Sequence, residues 1–205
     1  MKVILEKLNR CNDKCRSVTL GRDKGVIPRW IGGNLKNPDL MVVGLNPGKC
    51  DTTERFLYKE FMNGDASLIH RFTNHCLLDP GSSKSNYLVR LTGFLKEVFS
   101  ENDFLEKVYI TNLVKCESDI NGVVDSETQA HCFEKFLREE IALLKPKAIL
   151  ALGKEVYRLL QDRGVKNVVI CPHPSPANAR ASNFWVTGSS ERSAVIKTVK
   201  EMLTV

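Results

Sequence analysis

The segment Pro172-His173-Pro174-Ser175-Pro176-Ala177-Asn178 fixes one histidine between prolines, where the backbone has little room to drift. The Ser175 hydroxyl and the free N–H groups of so stiff a loop can take a phosphate. Asn112 stands near the end of an apolar run, VYITNLVKC. A buried amide there must either cap a neighbouring loop or read the polar edge of a ligand. The turn Gly44-Leu45-Asn46-Pro47-Gly48 sends a second amide across the end of another apolar run. Its Pro and Gly force a tight turn that brings backbone N–H groups near any ligand. Taken singly, each feature is also at home in an ordinary connection.

Four cysteines form two pairs, Cys11-x3-Cys15 and Cys116-x15-Cys132. Pairs that a fold brings together can hold a structural zinc or an iron–sulfur cluster, since both want thiolates in a near-tetrahedral array. Spacing alone does not choose between the metals, and free cysteines also serve as small buried hydrophobes. Cys50, Cys76 and Cys171 are read in that last way.

Four strand-length runs rich in β-branched residues supply a frame for these groups: Leu40–Leu45, Val108–Leu113, Ala148–Leu152 and Val168–Cys171. They are continuous rather than alternating, as strands covered on both faces are. Helical patterns follow them. One spans Ser85 to Phe99, and one opens on a capping box from Ser126 to Gln129 and stops at Lys145-Pro146. A third starts at Lys154 and ends before Gly164, and a last one carries Val195, Ile196, Val199, Met202 and Leu203. Strand–helix alternation predicts an α/β fold, a three-layer αβα sandwich around a central four-stranded parallel sheet. Ligands bind such sheets at the carboxyl ends of the strands, where the histidine, both amides and Cys116 fall.

The 205 residues, 42% hydrophobic and 26% charged, suit one domain that buries roughly 70% of its unfolded surface. Residues 1–39 read as a loop-rich cap carrying Cys11 and Cys15, and residues 50–84 as a polar insertion or lid. A net charge of +6 favours a polyanionic partner. No apolar run approaches the roughly 20 residues that span a bilayer. Glu6 and Lys7 interrupt the N-terminus before a secretory signal can develop, so a cytoplasmic protein is expected.

Taken in order, Cys11/Cys15, LMVVGLNPG (40–48), YITNLVKC (109–116), Cys132, AILALG (148–153) and HPSP (173–176) resemble the uracil-DNA glycosylase superfamily. The similarity is to its iron–sulfur branch, families 4 and 5, with a GLNPG first motif. The resemblance implies a monofunctional DNA glycosylase of base-excision repair that hydrolyses the N-glycosidic bond of uracil. It lifts a structural [4Fe–4S] cluster on Cys11, Cys15, Cys116 and Cys132 above zinc. It casts His173 as donor to uracil O2, Asn46 as the group that orients the attacking water, and Asn112 as reader of the uracil edge, with Gly44 and Leu45 beside it. An aromatic ring should stack on the extruded base, with Phe56, Phe61 and Tyr87 as candidates. Pro174, Ser175, Pro176, Ala177 and Arg180 would meet DNA. The partner is then uracil-bearing DNA and the protein a nucleoid-associated monomer.

The chain departs from that branch at several points. Where the iron–sulfur glycosylases usually begin this motif as GE-x-PG, Gly44-Leu45-Asn46-Pro47-Gly48 is similar to the mismatch-specific and single-strand-selective branches, and an asparagine cannot be a general base. The first pair is Cys-x3-Cys rather than Cys-x2-Cys, and about 100 residues separate it from Cys116. Ala177 is a poor wedge, with Arg180 as a substitute for insertion or phosphate grip. These departures keep two alternatives open: a glycosylase for another deaminated or mismatched base, and a non-catalytic iron–sulfur DNA-binding module of the same fold.

Overall fold

The computed structural model describes residues 2–13, 15, 18–19, 32–48, 52–62, 85–99, 104–118, 123–175 and 183–204. Its centre is a sheet of five strands in the order β2-β4-β3-β6-β7. These are β2 (Gly32–Gly33), β3 (Leu40–Gly44), β4 (Val108–Asn112), β6 (Ala148–Leu152) and β7 (Val168–Cys171). The last four run parallel, as the sequence predicts, while β2 adds an antiparallel edge to β4. Every residue of β3, β4 and β6 is buried, so both faces of the sheet are covered. Two further short strands, β1 (Val18–Thr19) and β5 (Glu117–Ser118), pair antiparallel and tie the N-terminal segment to the chain just after Cys116.

Helix α3 (Ser85–Phe99) buries Leu91, Phe94, Leu95 and Val98. It packs against α6 (Ser190–Leu203), which also lies on β6 and β7. Helix α5 (Lys154–Asp162) connects β6 to β7 and buries Val156 and Leu160. Ser126–Cys132, a π-helical turn Phe133–Leu137 and Arg138–Leu144 run on as one helix, α4. Lys145, in the left-handed region at φ 46°, ends it before Pro146.

Within the 1–39 cap, α1 (Lys2–Arg10) is helical and buries Ile4 and Leu8 completely. Two expectations need correction. The 50–84 segment, expected to be polar and irregular, carries a regular helix, since Thr52–Met62 forms α2. The N-cap of α4 is Asp125 rather than Ser126. Its carboxylate accepts from both the Thr128 N–H and the Thr128 hydroxyl, and the Gln129 side chain donates to Val124 O instead of closing a capping box.

Candidate active site

The chain leaves β3 to place β4 on one side and β6 on the other, the reversal at which sheets of this kind take ligands at the carboxyl ends of their strands. Asn112 is the last residue of β4 and is paired in register with Gly44, the last of β3. The ladder continues past both strands, with Leu113 N–H donating to Gly44 O and Val114 N–H to Leu45 O, each at 2.8 Å. Asn112 is only 2% exposed, and its Nδ2 has no hydrogen-bond partner among the described residues. An orphaned buried donor costs about 1–3 kcal/mol, which a ligand acceptor would offset. Its Oδ1 lies 2.6 Å from the point a β-carbon on Gly44 would occupy, so only glycine leaves room for this amide. Asn46, two residues beyond β3, is half-buried and donates from Nδ2 to the Pro47 carbonyl at 3.2 Å.

His173 follows β7 by two residues and folds back over the end of β6. The position of a β-carbon on Gly153 would be 3.8 Å from the His173 β-carbon, and Gly153 takes φ 101°. Ser175 N–H points at His173 Nδ1, 3.2 Å away. An Nδ1 that accepts a hydrogen bond carries no proton, so the neutral ring holds its proton on Nε2. Burial lowers the pKa of His173 below its ordinary value and keeps the ring in that neutral form.

Helix α3 leans on this loop. The Tyr87 ring lies 5.5 Å from the His173 ring, tilted by 48°. Arg90 Nη1 donates to the carbonyls of Pro174, at 3.1 Å, and Ser175, at 3.3 Å. Of the three aromatic candidates, Tyr87 is the one the fold places at the histidine. Phe56 is 59% exposed on α2, and the side chain of Phe61 lies outside the described residues. Pro176, Ala177 and Arg180 also lie outside them, as do Cys50 and Cys76. Cys171 is fully buried, as expected of a small hydrophobe, and burial pushes its thiol far above the ordinary range.

Behind Asn112, Lys115 is completely buried. Its ammonium donates to Thr111 Oγ1 and to the Asn112 carbonyl, both at 2.7 Å, and meets Glu140 Oε1 of α4 at 2.6 Å. The meeting with Glu140 is a charge contact outside hydrogen-bond angles, between two groups with no solvent access. The backbone N–H of Lys115 also bonds the Cys132 thiol.

That contact brings Cys132 beside the residue preceding Cys116. Burial pushes the Cys15 thiol up to about 11, and Cys132 and Cys11 push it the same way, so these three sense one another. Lys135 of α4 donates to Cys11 Sγ at 3.5 Å and pairs with Asp13, which also meets His131 Nε2 at 2.6 Å. Hydrogen bonds from Lys135 and His131 hold the Asp13 carboxyl below the usual range. Thiolates suit an iron–sulfur or zinc centre in donor chemistry, and the carboxylate beside them, Asp13, is engaged by Lys135 and His131. Among the described residues, however, no three Cys, His, Asp or Glu side chains converge as a metal-holding group.

Over residues 32–200 the sequence matches the Uracil DNA glycosylase superfamily. The chain belongs to that superfamily. A Type-5 uracil-DNA glycosylase of Pyrobaculum aerophilum is 31% identical over 187 residues, covering 80% of this chain and 72% of the relative. The superfamily match runs from β2 into α6 and takes in the Gly44 turn, Asn112 and the His173 loop, while Cys11 and Cys15 precede it. Among the described residues no helix is long and apolar enough to cross a membrane.

Sequence reasoning missed Arg90 and Glu140. Glu140 was detectable: it occupies an inward position of α4, four residues after Phe136 and four before Leu144, where only a paired charge is tolerated. Arg90 left no such signal, because its partners are backbone carbonyls.

Proposed function

We propose that this chain hydrolyses the N-glycosidic bond of uracil in DNA during base-excision repair. The observation that carries the reading is the buried, unpartnered Asn112 amide at the strand ends, in a chain of the uracil-DNA glycosylase superfamily. Uracil presents an acceptor at O4 and a donor at N3, which Nδ2 and Oδ1 of Asn112 complement. Cytosine inverts both, and the close approach of Gly44 prevents the amide from swinging to meet it.

Cleavage moves the bonding pair of the C1′–N1 bond onto the departing base, leaving an oxocarbenium-like sugar and a uracil anion. His173 Nε2–H donates to O2 as that charge develops. Because the ring is neutral, it stabilises the anion without having protonated the base beforehand. Asn46 Oδ1 orients the water that adds to C1′; the water loses its proton to solvent, and the base takes up one. Tyr87 stacks on the extruded base beside His173, and Leu45 lines the floor. Pro174 and Ser175, with Pro176, Ala177 and Arg180 beyond them, contact the DNA backbone.

Cys11, Cys15, Cys116 and Cys132 would hold a [4Fe–4S] cluster whose part is structural, stapling the N-terminal segment to the end of β4. The influence of Cys11 and Cys132 on Cys15, and the β1–β5 ribbon that ties the N-terminal segment to the chain just after Cys116, support this assignment.

The decisive test is release of free base from oligonucleotides carrying U:G, U:A or single-stranded uracil, with hypoxanthine and xanthine as competing substrates. Release of uracil by the parent protein, with His173→Ala and Asn112→Ala each slowed by about 100-fold or more, is expected. Tight DNA binding without release of any base would replace the enzyme with a binding module. Release of hypoxanthine or xanthine in preference to uracil would move the substrate, an outcome for which the Asn46 turn leaves room.

A further inference from the structure

The peptide group between Pro174 and Ser175 has a partner at each end. Its N–H donates to His173 Nδ1 at 3.2 Å, and its carbonyl, Pro174 O, accepts from Arg90 Nη1 at 3.1 Å. The same Nη1 also reaches the next carbonyl, Ser175 O, at 3.3 Å. Two carbonyls held from one helix fix the plane of that peptide, because rotating it would break the Arg90 contact and turn the N–H away from the imidazole. A cation on the carbonyl also polarises the amide and strengthens its N–H as a donor. Tyr87, one turn earlier on the same face of α3, presses on the imidazole ring itself.

We propose that Arg90 is a positioning residue for His173: by gripping the Pro174–Ser175 peptide it keeps the N–H on Nδ1 and so reserves the Nε2 proton for the departing base. This inference rests on the role given to His173 above. Arg90 touches neither base nor sugar. Its effect passes through one peptide and one tautomer, so it should vanish when the imidazole is removed.

A double-mutant cycle tests this, with single-turnover uracil release measured for the parent, Arg90→Ala, His173→Ala and the double variant. Arg90→Ala is expected to lose roughly 10–100-fold in rate, the scale of a misplaced catalytic group. In the His173→Ala background the same substitution is expected to change nothing. Losses that multiply would show Arg90 acting independently of the imidazole and overturn the proposal. A second readout is the 15N shift of labelled His173. The parent should show an acceptor-type Nδ1 and Arg90→Ala a mixture of tautomers, whereas an unchanged spectrum would also overturn it. Arg90→Lys, which keeps the charge and stem but not the planar fork, should give an intermediate tautomer ratio if the alanine variant does not fold. If His173→Ala alone retained the parent rate, the role of His173 would fall, while the tautomer measurement would still decide whether Arg90 sets the ring.

Discussion

A β-carbon on Gly44 would stand 2.6 Å from Oδ1 of Asn112, closer than any real β-carbon contact. The strand register puts the two residues side by side, and the missing side chain of one is the space occupied by the amide of the other. Gly44→Ala should therefore displace the Asn112 amide and cost about 100-fold in uracil release, with discrimination against cytosine weakened. Parallel assays on uracil and cytosine oligonucleotides, with circular dichroism to verify the fold, check this.

His173 should give the reaction an acid limb. Its pKa is lowered by burial, so the neutral ring persists through neutrality and the rate should fall only below the ordinary imidazole range. The sign for stability is the same. Between the lowered folded value and the unfolded value of 6.5, the unfolded chain binds more protons. Stability from this residue is thus fully present above 6.5, declines as pH falls below it, and levels off under the folded value. Melting temperatures of the parent and His173→Gln across pH 8 to 5 should converge toward acid.

Asn46 makes a sharper prediction through charge. Its Nδ2 is engaged by the Pro47 carbonyl, which leaves Oδ1 for the water in the reaction proposed above. Asn46→Ala should lower the rate by roughly 100-fold. Asn46→Asp places a proton acceptor at the same point, and its rate should hold at or above the parent and rise with pH through the carboxylate range. A rate–pH series on both variants decides it.

The Lys115–Glu140 pair should show the asymmetry of buried charges. Lys115→Met strands the Glu140 carboxylate without solvent and should destabilise the fold by about 3–5 kcal/mol. Removing both charges together, as Lys115→Met with Glu140→Leu, should recover much of that loss. Urea titrations of the single and double variants measure the difference.

For the thiols, Cys15→Ser and Cys132→Ser should each abolish iron incorporation and lower the melting temperature, and chelation of the parent protein should lower it in the same direction. Iron analysis and visible absorption on protein purified without air provide the measurement. Full iron content in either variant would remove that residue from the ligand set.

Much of this frame could be read directly from residue patterns. The bounds of β6, β7 and α3 coincide with their apolar runs, because continuous β-branched stretches and a helical repeat leave little ambiguity. The edge strand Gly32–Gly33 did not register, since two glycines carry no side-chain pattern and are ordered only by the backbone of β4. Asp125 was passed over as the cap because Ser126 and Gln129 mimic a capping box one position later. The site followed the same division. Asn112, Asn46 and His173 stand out as polar groups in apolar or proline-rich settings, whereas Arg90 acts on main-chain atoms that no sequence displays.

The π-helical turn at Phe133–Leu137 governs how α4 meets the back of the site. Cys132 and Glu140 are eight residues apart, and on a regular helix at about 100° per residue they would face about 80° apart. A turn that absorbs one extra residue reduces the divergence to about 20°, which lets one lysine take the thiol on its backbone N–H and the carboxylate on its ammonium. The length of this helix is consequently a phase setting: excising a single residue from 133–137 would let the coil relax to regular geometry with Cys132 and Glu140, then seven residues apart, still about 20° from one another, whereas regular geometry at the present length would turn Glu140 about 80° away and out of reach.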